Sequence, residues 1–435
     1  MMGDRAPGDG AVGAEGARQK PKGYENWLVL LFAMSGVIVF YERATLSYLF
    51  PAIVPEMGLQ MWQVGVTTSA LSLTYGFSGW IMASASDRRG RKSVLVPMIF
   101  AYSVLSWVTG AANSFVQLVA ARIVVGITIG PIFPISMALL VEESTPSRRG
   151  INGGAMAALG TAAGFAVAPV VAVQLASTLG WRWAYYIVGV PGLIVALLLW
   201  RFLRESPSHS REGTARGAGN AESFRDRYVS VLRFRNVRLA AIYITWAIGF
   251  MSVLPTFTPL YLTMGQGLSL AWTGTAMASF GIGAVVGMIV LSAVSDFVGR
   301  KPTLVVSTLV MGVAPLGLLG AGRNTILIMV ALFVGGLCSG SMGALTTAVV
   351  ESVPISMAAG ALSLALLVGT ILGSTVLPAI SGALADMYGL AIPIFVSALA
   401  GLLGGIVALF FTETAPRILA RRSGGDVVVG RSVGT

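Results

Sequence analysis

Apolar segments of about twenty residues recur along nearly the whole length of this chain. As a helix, a segment of that length spans the roughly 30 Å hydrocarbon layer of a bilayer. The 435 residues are 55% hydrophobic and 11% charged, whereas about a quarter of an ordinary soluble domain is charged. The sequence therefore predicts an all-α integral membrane protein. Its twelve predicted transmembrane helices cover residues 27–49, 62–85, 93–112, 115–141, 151–177, 184–203, 239–262, 272–295, 302–321, 325–350, 357–385 and 390–412.

The basic residues indicate how these helices are oriented. If the amino terminus is placed in the cytoplasm, 25 of the 29 Lys and Arg residues fall in the tails, the central polar segment or the loops on that side. This distribution follows the positive-inside rule, so it explains the formal net charge of +11 without a nucleic-acid partner. We expect a multi-pass protein of the cell's inner (plasma) membrane with both termini cytoplasmic. The four exceptions are Arg43, Arg122, Arg182 and Arg323.

One sequence pattern occurs twice. The stretch SDRRGRK at 86–92 returns as SDFVGRK at 295–301, which is 209 residues later, and Glu143 is matched by Glu351, 208 residues later. This spacing predicts two six-helix halves of parallel topology. We predict a cytoplasmic N-tail at 1–23, an N-terminal bundle at 24–204, a cytoplasmic linker at 205–237, a C-terminal bundle at 238–414 and a cytoplasmic C-tail at 415–435.

Sequence signatures of enzymes and metal sites are missing. The chain contains no HExxH and no phosphate-binding GxxxxGK[ST]. Its one cysteine, Cys338, lies in an apolar segment, which argues against a disulfide framework or a thiolate metal site. We therefore expect no enzymatic activity, no cofactor and no metal, and transport driven by an ion gradient.

The repeated loop resembles the signature loop of the major facilitator superfamily, which joins helices 2 and 3 and recurs between helices 8 and 9. RIVVGITIG at 122–130 resembles the fourth helix of that superfamily. YERATLSYLFPAIVPEMGL at 41–59 and GWRWAYYIVGVPG at 180–192 are similar to the anion:cation symporters and neighbouring organic-acid transporters, whose first helix commonly carries Asp-Arg. The resemblance implies a twelve-helix transporter, usually a monomer, that works by alternating access.

The resemblance also implies a gating role for the two loops. Their residues are Asp87, Gly90, Arg91 and Lys92 in the first loop, and Asp296, Gly299, Arg300 and Lys301 in the second. A carboxylate at a helix end accepts hydrogen bonds from a neighbouring helix start or an arginine, and glycine permits a sharp turn. We expect a cytoplasmic latch between the halves. The alternative is that the basic loops only orient the helices.

Glu42, Arg43 and Arg122 are charges within apolar segments, where each costs about 2.5–3.5 kcal/mol on insertion scales. Counted from outer helix ends near Phe50 and Phe115, Glu42 and Arg122 lie about 12 and 10 Å deep at the helical rise. We expect these two to meet. Arg43 then faces the central cavity, because adjacent helix residues point about 100° apart.

This arrangement predicts a mechanism. Arg43 binds a substrate carboxylate through paired hydrogen bonds. Glu42 carries the coupling proton and pairs with Arg122 when ionised. Many relatives carry a second carboxylate on helix 4, but this chain has Ile129 there, so coupling rests on Glu42 or is absent. The alternative is a static structural network of charges.

Five other residues are candidates for contact with substrate: Tyr75, Tyr243, Trp246, Thr370 and Ser374. They are polar or aromatic groups in otherwise apolar segments, and relatives often place a tyrosine at the position of Tyr75. The alternative is ordinary packing, because membrane helices use Ser and Thr between helices and aromatic residues near interfaces.

The sequence as a whole favours proton-coupled symport of a small organic anion, such as a sugar acid, an aromatic acid or another carboxylate. The expected partners are that anion, a proton and the lipid bilayer. Three alternatives stay open: proton-driven efflux of drugs or lipids such as a lysolipid, an uncoupled anion facilitator, and a transporter-like sensor.

Overall fold

The computed structural model describes residues 24–203 and 230–422, and within these ranges it contains twelve long helices and no strand. The predicted all-α membrane fold is confirmed. The predicted N-tail, residues 204–229 around the predicted linker and residues 423–435 of the predicted C-tail lie outside the described residues. The helices are α1 (Tyr24–Met57), α2 (Met61–Arg89), α3 (Arg91–Gly110), α4 (Phe115–Ile129 and Ile132–Glu143), α5 (Arg149–Ala162, π-helical Ala163–Val167, Ala168–Leu179), α6 (Trp181–Phe202), α7 (Arg235–Leu260, π-helical Tyr261–Gly265), α8 (Leu270–Val298), α9 (Arg300–Gly320), α10 (Thr325–Ser339 and Met342–Glu351), α11 (Ile355–Ile371, π-helical Leu372–Val376, Leu377–Tyr388) and α12 (Ala391–Leu409), followed by a short α13 (Pro416–Arg422).

The second helix is the most polar of the twelve. By length and apolar composition, eleven of the described helices qualify as membrane spans, and α2 is the long helix that does not. Its polarity has a structural cause, because several of its side chains turn toward the protein interior and not toward lipid. Ser69, for example, donates a hydrogen bond to the Thr375 carbonyl at 2.5 Å. The polar residues in its middle are Thr67, Thr68, Ser69, Ser72, Thr74, Tyr75 and Ser78.

The first helix ends at Met57, eight residues beyond its predicted end at residue 49. Pro51 and Pro55 lie inside the helix and do not end it. Membrane helices tolerate proline where neighbouring groups satisfy the freed backbone. Glu42 is therefore about 22 Å from the end of the helix at 1.5 Å per residue, not about 12 Å. It still reaches the level of Arg122, because α1 runs past the start of α4.

The internal repeat of the sequence is also visible in the backbone. The π-helical segments Ala163–Val167 of α5 and Leu372–Val376 of α11 are 209 residues apart. Gly90 and Gly299, at the same spacing, both have a positive φ, 97° and 116°, which side-chain-bearing residues rarely adopt. We call α1–α6 the N-half and α7–α12 the C-half.

The two halves meet where α1 packs on α7, α2 on α11 and α5 on α8. At the end of the bundle where α1 ends and α2 begins, the Asp386 carboxylate of α11 accepts hydrogen bonds from the backbone N–H groups of Met61 and Trp62, both at 2.8 Å. Phe50 of α1 and Phe257 of α7 belong to one buried apolar cluster beneath these contacts. We call this end the closed end, and the opposite end, which carries Gly90 and Gly299, the motif end.

Candidate functional site

A central cavity of about 220 Å³ lies between the halves. Among the described residues that line it, two are cations, eight carry hydroxyl groups and eight are apolar. The cations are Arg43 of α1 and Arg122 of α4. The hydroxyl residues are Ser47, Thr67, Thr68 and Ser72 of the N-half, and Ser252, Thr256, Thr370 and Ser374 of the C-half. The apolar residues are Phe40, Ala44, Leu46, Leu71, Phe165, Ile248, Met251 and Pro255.

Glu42 and Arg122 form a buried ion pair beside this cavity. Arg122 Nη1 lies 3.0 Å from Glu42 Oε1, and both side chains are 0% exposed. The predicted contact between them is confirmed. The two opposite charges neutralise each other at a depth where an unpaired ion would be strongly destabilising, while Arg122 Nε and Nη2 are buried without a hydrogen-bond partner in the described structure. Glu42 is the one fully buried carboxylate in the described part of the chain.

Side chains of α3 and α6 complete the surroundings of this pair, and the sequence did not reveal them. The Ser106 hydroxyl lies 3.4 Å from Glu42 Oε2 and 3.2 Å from the Tyr185 carbonyl oxygen. The Tyr185 ring centroid lies 4.9 Å from Arg122 Cζ, so the guanidinium also has an aromatic contact. Tyr102 is fully buried in the same region. The signal available in the sequence was a serine and two tyrosines within apolar segments, but the sequence does not indicate which way α3 and α6 are rotated.

Arg43 points away from this pair and into the cavity. Its guanidinium carbon lies 4.3 Å from the centroid of the Tyr75 ring, and the side chain is half-buried. Within the described residues no carboxylate pairs with Arg43. The adjacent charges of Glu42 and Arg43 therefore have different surroundings: one is neutralised inside the N-half, and the other is held against an aromatic face at the cavity wall.

The hydroxyl-bearing residues come from both halves. Ser47 of α1 and Thr256 of α7, which are 209 residues apart, form a hydrogen bond of 3.1 Å across the boundary between the halves. Thr370 and Ser374 of α11 line the cavity as well. Of the six residues predicted to contact substrate, three line the cavity: Arg43, Thr370 and Ser374. A fourth, Tyr75, contacts the guanidinium of Arg43.

Tyr243 and Trp246 are not among the described residues that line the cavity. The Tyr243 hydroxyl lies 2.6 Å from Thr308 Oγ1 and 3.2 Å from Ser341 Oγ, inside the C-half. Trp246 packs beside an apolar cluster. The cavity-facing residues of α7 begin at Ile248 and recur every three to four positions, and at 100° per residue both aromatic residues lie about 150° from that face.

The first signature loop makes its described contacts within the N-half. Gly90 forms the turn between α2 and α3, and Arg91 pairs with Glu142 of α4. Lys92 donates from Nζ to the Leu203 carbonyl at 2.5 Å. Asp87 is in α2, but its side chain lies outside the described part of the structure.

The second loop is centred on Arg300 and lies within the C-half. Arg300 pairs with Asp296 at 2.6 Å and with Glu351 at 3.0 Å. Glu413, which the sequence did not single out, accepts hydrogen bonds from the backbone N–H groups of Arg300 and Lys301 and so caps the start of α9. These contacts join elements of one half, so the predicted latch between the halves stays a prediction.

Comparison with known proteins agrees with this architecture. Residues 32–278 and 266–431 match the family described as the Major Facilitator Superfamily. A probable 4-methylmuconolactone transporter of Cupriavidus pinatubonensis is 27% identical over 341 residues, which cover 77% of this chain and 78% of the relative. A hexuronate transporter of Bacillus subtilis is 26% identical over 275 residues, which cover 63% of this chain and 65% of the relative.

Among solved structures, a bacterial homologue of the human lysosomal transporter Spinster, in an inward-facing and unoccupied conformation, has a TM-score of 0.71. It is 17% identical, and the match covers 93% of this chain and 98% of that chain. Because the family match extends through both halves, and because these relatives are transporters and not enzymes, the chain belongs to the Major Facilitator Superfamily of membrane transporters.

Proposed function

We propose that this protein is a secondary active transporter that carries a small organic anion together with a proton. The observation that supports this most strongly is Arg43, a cation at the wall of the central cavity that has no carboxylate partner among the described residues. A substrate carboxylate supplies the missing negative charge and matches the planar guanidinium through two parallel hydrogen bonds. The relatives named for 4-methylmuconolactone and hexuronate support an organic acid as the substrate.

Glu42 is the proposed site of the proton. When ionised it pairs with Arg122, and when protonated it loses that charge–charge attraction. Arg122 lines the same cavity as Arg43, so the protonation state of Glu42 changes the positive charge that the substrate meets. Proton binding and anion binding are thereby linked in one layer of the N-half.

The contacts at the closed end support alternating access as the proposed mechanism, with this conformation as one step of the cycle. The Asp386 contacts and the Phe50 and Phe257 cluster join the halves at that end. The route that we propose for substrate in this conformation therefore leads through the motif end. In the orientation that the positive-inside distribution favours, the motif end and both termini face the cytoplasm of a cell whose inner membrane holds the protein. The signature loops then lie where a latch would close the cavity in the opposite conformation.

Transport into proteoliposomes tests this proposal. We expect the purified full chain to accumulate at least one of radiolabelled D-gluconate, D-glucuronate, benzoate and succinate when a proton gradient is imposed. Glu42→Gln should abolish accumulation driven by the gradient but retain solute counterflow, which needs binding and translocation without net proton movement. The control is Glu56→Gln, because Glu56 pairs with Arg182 at the closed end, outside the cavity. Failure of the wild type to transport any of the four acids would contradict anion transport.

An uncoupled anion facilitator is the second candidate function, and Ile129 favours it. This residue is fully buried on α4, so the chain has no second carboxylate at that position. A facilitator would equilibrate the anion at the same rate with and without a proton gradient. It would do so equally in the wild type and in Glu42→Gln.

A further inference from the structure

Few of the hydroxyl groups in the cavity wall are accessible to a ligand. Of the eight hydroxyl residues that line the described cavity, five are buried, namely Ser47, Thr67, Ser72, Thr256 and Ser374. The three that are partly exposed are Thr68 of the N-half and Ser252 and Thr370 of the C-half. A ligand that forms hydrogen bonds with side chains of the described C-half wall therefore meets Ser252 and Thr370.

Ser252 and Thr370 also have hydroxyl protons that the described protein does not use. Thr68 donates its proton to the Val64 carbonyl at 3.1 Å, so it presents only acceptor lone pairs to the cavity. The hydroxyl groups of Ser252 and Thr370, in contrast, make no hydrogen bond with the described residues. Because a partly buried hydroxyl proton needs an acceptor, these two side chains are available to donate to a ligand.

Ser252 lies at the same level of the bundle as Arg43. The hydrogen bond between Ser47 and Thr256 joins α1 to α7, and Arg43 and Ser252 each precede one of these residues by four positions. Both helices run from the motif end to the closed end, with a rise of 1.5 Å per residue. Arg43 and Ser252 therefore both lie about 6 Å from that hydrogen bond, on its motif-end side.

Thr370 reaches this level from a third helix. A Cβ atom added to Gly76 of α2 would lie 3.7 Å from Thr370 Cγ2 of α11. Gly76 directly follows Tyr75, and the centroid of the Tyr75 ring lies 4.3 Å from the guanidinium carbon of Arg43. Thr370 is thus close to the part of α2 that contacts Arg43.

Arg43, Ser252 and Thr370 together form a layer of hydrogen-bond donors, which we call the donor layer. Its charged member belongs to the N-half, and its two neutral members belong to the C-half. A carboxylate on Arg43 compensates the charge, but it leaves the two hydroxyl protons of the C-half without an acceptor. A second oxygen atom on the same ligand supplies that acceptor, and it needs no charge because no described C-half residue of the cavity wall is charged.

We propose that Ser252 and Thr370 are the C-half part of the substrate site and that they bind a second oxygen acceptor of an organic acid whose carboxylate is on Arg43. The acceptor is a carbonyl, hydroxyl, ether or second carboxylate oxygen, so the inference separates acids that carry such a group from plain alkyl or aryl acids. It rests on the proposed transport of an organic anion through this cavity. A ligand bound in this way contacts both halves, so its binding favours conformations in which they are close at the donor layer.

Calorimetric titration of the purified full chain in detergent tests the inference with two matched pairs of acids. Levulinate differs from pentanoate by one carbonyl group, and 5-oxohexanoate differs from hexanoate in the same way. A carbonyl oxygen only accepts hydrogen bonds, so it detects donors in the cavity wall. We expect at least one oxo acid to bind at least about fourfold more tightly than its plain counterpart, because two neutral hydrogen bonds each change affinity by roughly twofold to tenfold.

Ser252→Ala and Thr370→Val each remove one donor and change the side-chain volume little. We expect either variant to weaken binding of the oxo acid by roughly twofold to tenfold and to leave binding of the plain acid unchanged. A shifted balance of conformations would change both affinities equally, so their ratio isolates the hydrogen bond. The matched control is Thr375→Val on α11, because the Thr375 hydroxyl has no partner in the described structure and does not line the cavity.

The possible results separate this inference from the proposed function. Equal affinities within both pairs would overturn the second acceptor while leaving organic-anion transport intact. An advantage of the oxo acid that persisted in both variants would remove Ser252 and Thr370 from the site. Failure of both oxo acids to bind to protein shown to be folded by its thermal transition would also overturn the inference. If the four acids of the transport assay did not bind either, the proposed function itself would fail.

Discussion

At the scale of single residues, Glu42 and Arg43 illustrate how one helix separates two adjacent charges. Successive residues of a helix point about 100° apart. Glu42 thus reaches Arg122 inside the N-half, while Arg43 reaches the cavity and the Tyr75 ring. The buried pair is tolerated because each charge has a partner. The remaining guanidinium is partly desolvated and held in place, which prepares it for an anion.

We predict that Arg43→Lys weakens the binding of D-gluconate by about tenfold or more, because hydrogen bonds to charged groups contribute about 1.5–3 kcal/mol each and lysine lacks the planar fork of arginine. The positive charge is retained, so the thermal unfolding midpoint should stay close to that of the wild type. Titration calorimetry measures the affinity, and Arg182→Lys at the closed end is the control. An unchanged affinity in Arg43→Lys would refute its role as the carboxylate-binding group.

The sequence predicted the Glu42–Arg122 pair, because an isolated charge in an apolar segment needs a partner and few candidates exist. It did not predict Ser106, Tyr102 or Tyr185 beside that pair. Such residues are common in apolar segments, and their role depends on how α3 and α6 are rotated. For the same reason, residue type alone did not distinguish Tyr243, which lies on the face of α7 opposite the cavity, from Thr370, which lines the cavity.

At the scale of helices, close approach of backbones holds the two halves together. A Cβ atom added to Gly281 of α8 would lie 1.9 Å from the Phe165 carbonyl oxygen of α5. Phe165 belongs to the π-helical segment Ala163–Val167, so the local widening of α5 occurs at the contact with α8. Neither the contact nor the segment was predicted, because helix periodicity does not reveal which glycines meet a neighbouring backbone.

We predict that Gly281→Ala destabilises the protein by about 1–3 kcal/mol, because the added methyl group forces α5 and α8 apart. The thermal unfolding midpoint of the purified protein in detergent should fall accordingly. Gly154→Ala on α5 is the matched control, since a Cβ atom there would have no neighbour within 4 Å. Equal midpoints for the two variants would contradict a tight contact between these helices.

Helix ends were harder to predict than the helices themselves. The twelve predicted segments all correspond to helices in the described chain, but α1 continues through Pro51 and Pro55 to Met57. In a soluble protein two prolines would favour an earlier end. In the bundle, this last part of α1 packs against α6 and α7 through residues such as Ile53, and that packing maintains the helix.

At the scale of the whole molecule, the repeat predicts two equivalent halves but not the conformation they adopt. The asymmetry comes from individual residues. Asp386 of α11 accepts two hydrogen bonds from the start of α2, whereas the position 209 residues earlier is Ser177, whose hydroxyl donates to the Gln174 carbonyl within α5. The carboxylate also lies at a helix N-terminus, where a negative charge is favoured. One side chain of the second half therefore joins the halves at the closed end.

We predict that Asp386→Asn shifts the conformational equilibrium toward opening of the closed end by about tenfold, since charge-assisted hydrogen bonds contribute about 1.5–3 kcal/mol and the amide retains one acceptor. Spin labels at Val116 of α4 and Ile326 of α10, introduced with Cys338→Ser, report the distance between the halves at that end, and both positions are exposed. The population with the longer distance should increase in Asp386→Asn. Glu56→Gln is the control, because Glu56 contacts Trp181 and Arg182 of its own half. Identical distance distributions in the wild type and Asp386→Asn would mean that the apolar cluster of Phe50 and Phe257 closes this end without the carboxylate.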